Sequence, residues 1–322
     1  MELRHLIGCA LLLAATQNAA AQGPDSAAFV IRLGHDTTAL ERYVRTGNEL
    51  IAEAVQRSPA TTLHRLVLRF GADRAVTEAE YTVRRPGDSD PLTRRLVRFQ
   101  GDSAVIENTQ GGNTRAQRVS APGAIPIAGP FYTPYELAIM RVVAGAGSVS
   151  LLPGGAPVAI RVERVGGDSV ALNNQFDEPM RAHIDASGRI LHLHTPAFAT
   201  VERVRWIDLG RYARDFAARD AAGKGLGPLS PRSTVRRRIQ NANIWLDYSR
   251  PAMRGRPVWG ALVPWGKTWR MGANDAAHFA TDRALQFGAV TIAPGTYTLF
   301  LMPKADRWEL IVNRTTGMSG LD

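Results

Sequence analysis

The chain has 322 residues, room for two domains that each bury a core, with 39 Lys+Arg against 29 Asp+Glu and a formal net charge of +10. The basic excess is arginine, since Lys stands only at positions 224, 267 and 304, and it is scattered without a helical basic stripe or an aromatic-interleaved RNA motif. That pattern argues against a nucleic-acid partner and for acidic surfaces or ligands.

Residues 1–21 have the plan of a secretory signal peptide: Arg4 and His5, an apolar run from Leu6 to Ala15, and the small-residue end Ala19-Ala20-Ala21, with cleavage expected after Ala21. The run is shorter than the roughly 20 residues a spanning helix needs, and nothing later approaches that length. An exported chain without a transmembrane segment, periplasmic or extracellular, is the expectation. The single cysteine, Cys9, precedes the apolar core rather than following it, which disfavours lipidation. Once the leader is removed no disulfide, thiolate metal site or cysteine nucleophile remains.

Residues 24–222 read as a β-rich domain. Phe29 to Leu33 ends at Gly34-His35-Asp36, and Leu50 to Val55 follows Thr46-Gly47-Asn48. Leu66, Leu68 and Phe70 then alternate with Val67 and Arg69. Short alternations broken by turn residues predict antiparallel strands joined by hairpins, hence a meandering, curved sheet. Gly101-Asp102-Ser103 and Gly167-Asp168-Ser169 each lie between apolar runs and read as hairpin turns rather than catalytic serines.

Thr133-Pro134-Tyr135-Glu136 predicts a helix, with Thr133 as cap, Pro134 at the first helical position and Glu136 returning to the cap. His192 and His194 share a strand face, a spacing that metal sites use with His183 or Asp185 as further ligand, and that a solvent-facing strand explains equally well. A second helix is expected over Tyr212 to Ala222. Gly223-Lys224-Gly225-Leu226-Gly227-Pro228 and Ser230-Pro231 then place a linker at 223–232.

The last part, 233–322, reads as strands packed in a sandwich-like domain. Its densest stretch, Tyr248 to Asn274, holds four Arg, three Trp and four Gly. A polar pocket formed by Arg250, Arg256, Arg270, Asn274 and Asp275 and walled by Trp259, Trp265 and Trp269 would suit an anionic or carbohydrate ligand. The competing reading is internal: Arg270 pairs with Asp275 and the indoles fill a core. His278 is placed to titrate near neutral pH with Asp275 orienting it, but no nucleophile accompanies it. No Gly-x-Ser-x-Gly elbow, His-Glu-x-x-His helix or phosphate loop occurs, and no cofactor is implied.

Tyr248-Ser249-Arg250-Pro251, Gly255-Arg256, Trp269-Arg270-Met271-Gly272-Ala273-Asn274, Pro294-Gly295-Thr296-Tyr297 and the run Trp308 to Asn313 together resemble the DUF2911 family over about 233–320. The resemblance implies an envelope or secreted protein of undefined biochemical role. Asp275-Ala276-Ala277 stands where the family commonly has Glu, Ala and Thr, so a hydroxyl is missing at position 277. The family usually runs on beyond Met318-Ser319-Gly320 with further strands, so the small domain is expected to be truncated and incomplete.

Two functions follow. The favoured one is a non-enzymatic periplasmic carrier of an apolar or anionic small molecule, its N-terminal sheet resembling a lipid-carrier half-barrel in outline, with an apolar concavity lined by Leu66, Leu68, Phe70, Leu137 and Met140. The rival is an envelope hydrolase acting on a glycan or anionic ester through Arg270, Asn274 and Asp275, which requires the Asp275 carboxylate to face an open pocket within reach of Arg270 and His278.

Overall fold

The computed structural model describes residues 25–173, 179–196 and 199–317. The leader with Cys9, and Met318 to Gly320, lie outside them.

The first eight strands are β1 Asp25–Leu33, β2 Asp36–Thr46, β3 Glu49–Gln56, β4 Thr62–Phe70, β5 Val76–Arg84, β6 Thr93–Gln100, β7 Ser103–Gln110 and β8 Asn113–Ser120. After β9 Ile125–Pro126 comes helix α1, Thr133–Val143, and then β10 Val149–Leu152, β11 Val158–Arg164, β12 Ser169–Asn173, β13 Met180–Ile184, β14 Ile190–His194 and β15 Ala199–Val204. All fifteen strands form one sheet, because β1 pairs antiparallel with both β2 and β15 and so splices two meanders edge to edge. The sheet does not close into a barrel. It curls until β9, parallel to β10, comes against β5.

Period-two alternation sets the two faces. Phe29, Leu50, Leu66, Leu68, Val97 and Ile106 point to the concave side, where they form one core with Ile125, Phe131 and Ile139. Helix α1 thus fills the hollow that the sequence left open for a carrier: Leu66, Leu68 and Phe70 are buried in that core, and Leu137 packs against it. On the convex side Ala28, Leu40 and Val55 receive the second helix, α2, Leu209–Ala221, through Leu209, Ala213 and Phe216. Asp208 caps α2, accepting from the Arg211 amide at 3.0 Å.

The start of α1 differs from the expected capping box. Tyr132 is the N-cap and offers no side-chain bond, while Thr133 and Pro134 already lie inside the helix. The cap comes instead from another strand. Glu41 of β2, fully buried, accepts from the amides of Tyr132 at 2.6 Å and Thr133 at 3.0 Å and from the Thr133 hydroxyl. Glu136 reaches across the core rather than back to the cap, accepting from Tyr43 Oη at 2.6 Å, the Ile190 amide at 2.7 Å and Arg203 at 3.3 Å. Burial pushes the Glu41 carboxyl up to about 7, and raises Glu136 as well.

The remaining strands are β16 Arg232–Ile239, β17 Ala242–Ser249, β18 Ala277–Thr281, β19 Leu285–Phe287, β20 Val290–Ile292, β21 Gly295–Pro303 and β22 Trp308–Asn313. They make a five-stranded sheet in the order β16-β17-β18-β21-β22 and a separate β19-β20 hairpin. The hairpin lays Leu285 and Ile292 on Phe279, Tyr297 and Leu299, so the second layer of the expected sandwich is a two-stranded ribbon. Beside it Ile239 (57% exposed) and Leu310 (45%) stay in contact with solvent.

Segment 223–232 lies against the large sheet. The Ser58 hydroxyl donates to the Gly227 carbonyl at 3.0 Å, and just before the segment Asp220, near the end of α2, accepts from the Thr61 amide at 2.6 Å. A second tie joins the β1-β2 turn to loop 250–256: the His35 amide donates to the Arg254 carbonyl at 3.1 Å, and the Arg254 guanidinium pairs with Asp36.

Candidate functional site

The residues singled out from the sequence are spread over separate surfaces. Trp259, Trp265 and Trp269 do assemble, with centroids 6.2 Å apart for the first two and 6.5 Å for Trp259 and Trp269, and Trp308 joins at 4.8 Å from Trp259. Trp259, Trp265 and Trp308 are each about half exposed, so they tile a surface rather than fill a core. Arg256 is turned onto its own loop, donating to the carbonyls of Met253 and Ala252. Arg250 is exposed and its amide bonds to the Pro231 carbonyl. Asn274 is an exposed turn residue with φ +63°. Arg270 uses its carbonyl to accept from the Ala277 amide.

Asp275 pairs with Arg232, 3.7 Å away, and not with Arg270. Arg232 also donates to Asp247 at 2.8 Å and approaches His278 Nδ1 at 3.4 Å. The guanidinium beside Asp247 holds that carboxyl below the usual range. Asp275, Arg232 and Asp247 therefore form a charge-paired surface group with His278 beside it, and no cavity described here is lined by Arg250, Arg256, Trp269, Arg270, Asn274 or Asp275.

His192 and His194 lie ring to ring at 4.4 Å, but Asp185 is taken up by Ser187 and the Arg189 amide. Among the described residues no group of three or more His, Cys, Asp or Glu side chains is placed to hold a metal ion. Nor is any helix among them long and apolar enough to cross a membrane.

A built cavity lies elsewhere, at the mouth of the curled sheet. It measures about 510 Å3, and its wall runs from Ile31 and Ala39 past Gln56, Tyr81 and Arg95 to the 127–132 loop, Tyr135 and, from segment 223–232, Leu229. The volume falls within the roughly 300–1,000 Å3 usual for small-molecule sites. Apolar side chains (Ile31, Ile127, Phe131, Leu229) form much of the wall, and a few polar groups converge on it.

Tyr81 is the best fixed of these. Its hydroxyl donates to the Gly129 carbonyl at 2.8 Å, so the His64 Nδ1 at 2.8 Å must be the donor to it. His64 Nε2 then accepts from the Thr62 hydroxyl at 2.8 Å, which assigns a neutral imidazole with its proton on Nδ1. Burial agrees, lowering His64 to about 4 and raising Tyr81 to about 12. The Tyr81 ring stands edge-on to Phe131, with centroids 6.3 Å apart.

Arg95 brings the charge. Its Nε donates to Asn108 Oδ1 and its Nη1 to the Pro153 carbonyl, both at 2.8 Å, while Nη2 makes no hydrogen bond among the described residues. No carboxylate among them pairs with it. Gly154, at φ +111°, lets the guanidinium lie against the backbone, where a Cβ would meet Cζ at 2.4 Å. Desolvation lowers the Arg95 pKa, with the nearby Tyr81 opposing the shift. The sequence held no local signal for this site: Gln56, Tyr81, Arg95 and Tyr135 lie on four elements and meet only when the sheet curls.

Comparison with known proteins adds two likenesses. No curated protein matches the chain. Among solved structures it is similar to the crystal structure of a beta-barrel-like protein of a domain of unknown function, DUF1849, from Brucella abortus, at 11% identity and a TM-score of 0.35, covering 56% of this chain and 94% of that one. In the C-terminal part, where the five-stranded sheet and its tryptophan cluster lie, residues 230–322 match the family model described as Protein of unknown function (DUF2911), and the N-terminal part matches no family.

Proposed function

We propose that the chain is a non-catalytic binding protein that takes a small amphipathic acid at the mouth of its large sheet. The observation that carries this reading is Arg95: a half-buried guanidinium on a mixed apolar and polar cavity wall, with one nitrogen left over and no carboxylate partner among the described residues. A carboxylate or phosphate monoester would supply the missing charge, and the Ile127, Phe131 and Leu229 side would cover an apolar tail. The packing of α1 in the hollow limits the ligand to the mouth, which favours a short-chain or single-ring acid over a two-chain lipid. Residues 1–21 serve as the export leader in this reading, so the site works in the periplasm or outside the cell. The hydrolase alternative loses ground, because its base Asp275 is paired with Arg232 and lies on no cavity described here.

Native mass spectrometry of the chain without residues 1–21, purified from a periplasm, is the test, followed by calorimetric titration with decanoate and decanol. Retention of a small acid, or decanoate binding that exceeds decanol binding and disappears in Arg95→Met, is expected. Equal binding of acid and alcohol, or decanoate binding unchanged in Arg95→Met, would overturn the assignment.

A further inference from the structure

The small sheet carries a second concavity on the face away from the β19-β20 ribbon. The register of β16, β17, β18 and β21 aligns Arg236, Trp245, Ala280 and Thr296 in one row across four strands. Next to the large indole, Ala280 and Thr296 are small, and Gly295 follows, so the face is hollowed beside Trp245. The hollow measures about 680 Å3. Arg238 stands two residues along β16 from Arg236, on the same face and about 7 Å away at the usual strand rise.

Both arginines are exposed and neither meets a carboxylate among the described residues; Arg238 donates only to the Gln240 carbonyl, at 3.2 Å. The acid lining the hollow, Asp282, is already occupied, accepting from the Asn243 amide at 2.7 Å and side chain at 2.6 Å, and those bonds hold its carboxyl below the usual range. Arginines on an edge strand discourage pairing with other sheets. That role needs neither the tryptophan between them and the centre of the sheet nor the small residues beyond it.

The geometry points to a binding site for an acidic oligosaccharide, with a sugar ring stacked on Trp245 and its acidic substituents on the forks of Arg236 and Arg238. The site is independent of the cavity at Arg95 and uses none of its residues. A guanidinium pair alone would accept any anion, whereas a pair beside an indole favours anions carried on a ring with an apolar, C–H-bearing face, as a pyranose has.

The test is titration of the leader-free chain with an oligogalacturonate, against its carboxyl-reduced neutral counterpart and inorganic phosphate. We expect saturable binding of the oligogalacturonate alone, a change in tryptophan emission that Trp245→Phe removes, and at least about a tenfold loss of affinity in Arg236→Gln/Arg238→Gln. The double variant Arg161→Gln/Arg164→Gln removes the same charge from exposed positions of β11 and should bind as the parent does. Equal losses in the two double variants would reduce the effect to net charge and overturn the site, as would phosphate binding of equal strength. All variants are compared at matched melting temperature, so that unfolding is not read as lost binding.

Discussion

Glu41 of β2 caps a helix that begins 92 residues later, accepting from the Thr133 amide at 3.0 Å and from its hydroxyl as well. The bond fixes α1 in the hollow of the sheet at the point where the chain leaves the ligand-cavity loop. Its carboxylate stands in for the side chain that Tyr132 cannot supply as N-cap.

Glu41→Ala should therefore destabilise the fold by about 3 kcal/mol, since three donors at a buried helix end lose their acceptor. The pH dependence has a definite sign. The folded value, about 7, lies above the ordinary one of 4.5, so the stability linked to Glu41 is complete below pH 4.5 and is lost as pH rises through 7. In urea melts from pH 4.5 to 8, Glu41→Gln should lack that decline; a decline equal to the parent's would place its origin elsewhere.

His64 has the opposite sign. Its folded value of about 4 lies below the unfolded 6.5, so its contribution is complete above pH 6.5 and fades as pH falls through 4. That difference corresponds to on the order of 3 kcal/mol for this nearly enclosed ring. His64→Gln should be less acid-sensitive than the parent between pH 7 and 4, and ring NMR of the parent should report a neutral imidazole at pH 5.5. An imidazolium at that pH would contradict the hydrogen-bond chain through Tyr81.

The strand plan was legible in the sequence because period-two alternation and glycine turns are local: β1, β2 and β3 meet at the expected turns, Gly34-His35-Asp36 and Thr46-Gly47-Asn48. The capping of α1 was not, because Glu41 and Thr133 are joined only through the curl of the sheet. The same holds for the cavity. Tyr81 and Arg95 read as members of ordinary half-exposed strands, and what sets them apart is the 127–132 loop, which brings the Gly129 carbonyl and Phe131 onto Tyr81. Conversely, the three Trp of Tyr248 to Asn274 do meet, but on an exposed surface rather than as a pocket wall or a core, and Arg256 and Asp275 find partners outside the pocket they were expected to share.

At Gly34 the backbone has φ +62°, and a Cβ would lie 1.9 Å from the Arg254 carbonyl oxygen. Gly34→Ala should cost about 2 kcal/mol or more, from strain and from parting the β1-β2 turn from loop 250–256. Limited proteolysis should then cut 250–256 faster than in the parent. Unchanged cutting and an unchanged melt would mean that the turn and the loop do not depend on each other.

Gly154→Ala tests the ligand cavity without touching its charge. The added methyl would meet the Arg95 guanidinium at 2.4 Å from Cζ and turn it off its seat against the backbone. At φ +111° the added Cβ also strains the turn and lowers the melting temperature, so affinity is read well below the melt. Affinity for decanoate should fall about tenfold in folded protein, a result expected only if the placement of the guanidinium, and not its presence alone, governs binding.

Leu229 gives the join between the two sheets an unusual obligation. A segment that forms part of the cavity wall and is stitched down by Ser58 is not a spacer whose length can drift, because each inserted residue would swing a wall of the cavity. A fragment ending at residue 222 would retain every strand of the large sheet and still have a cavity open along one side. Through a single leucine upstream of its first strand, the part of the chain that carries the small sheet completes a cavity wall of its larger neighbour.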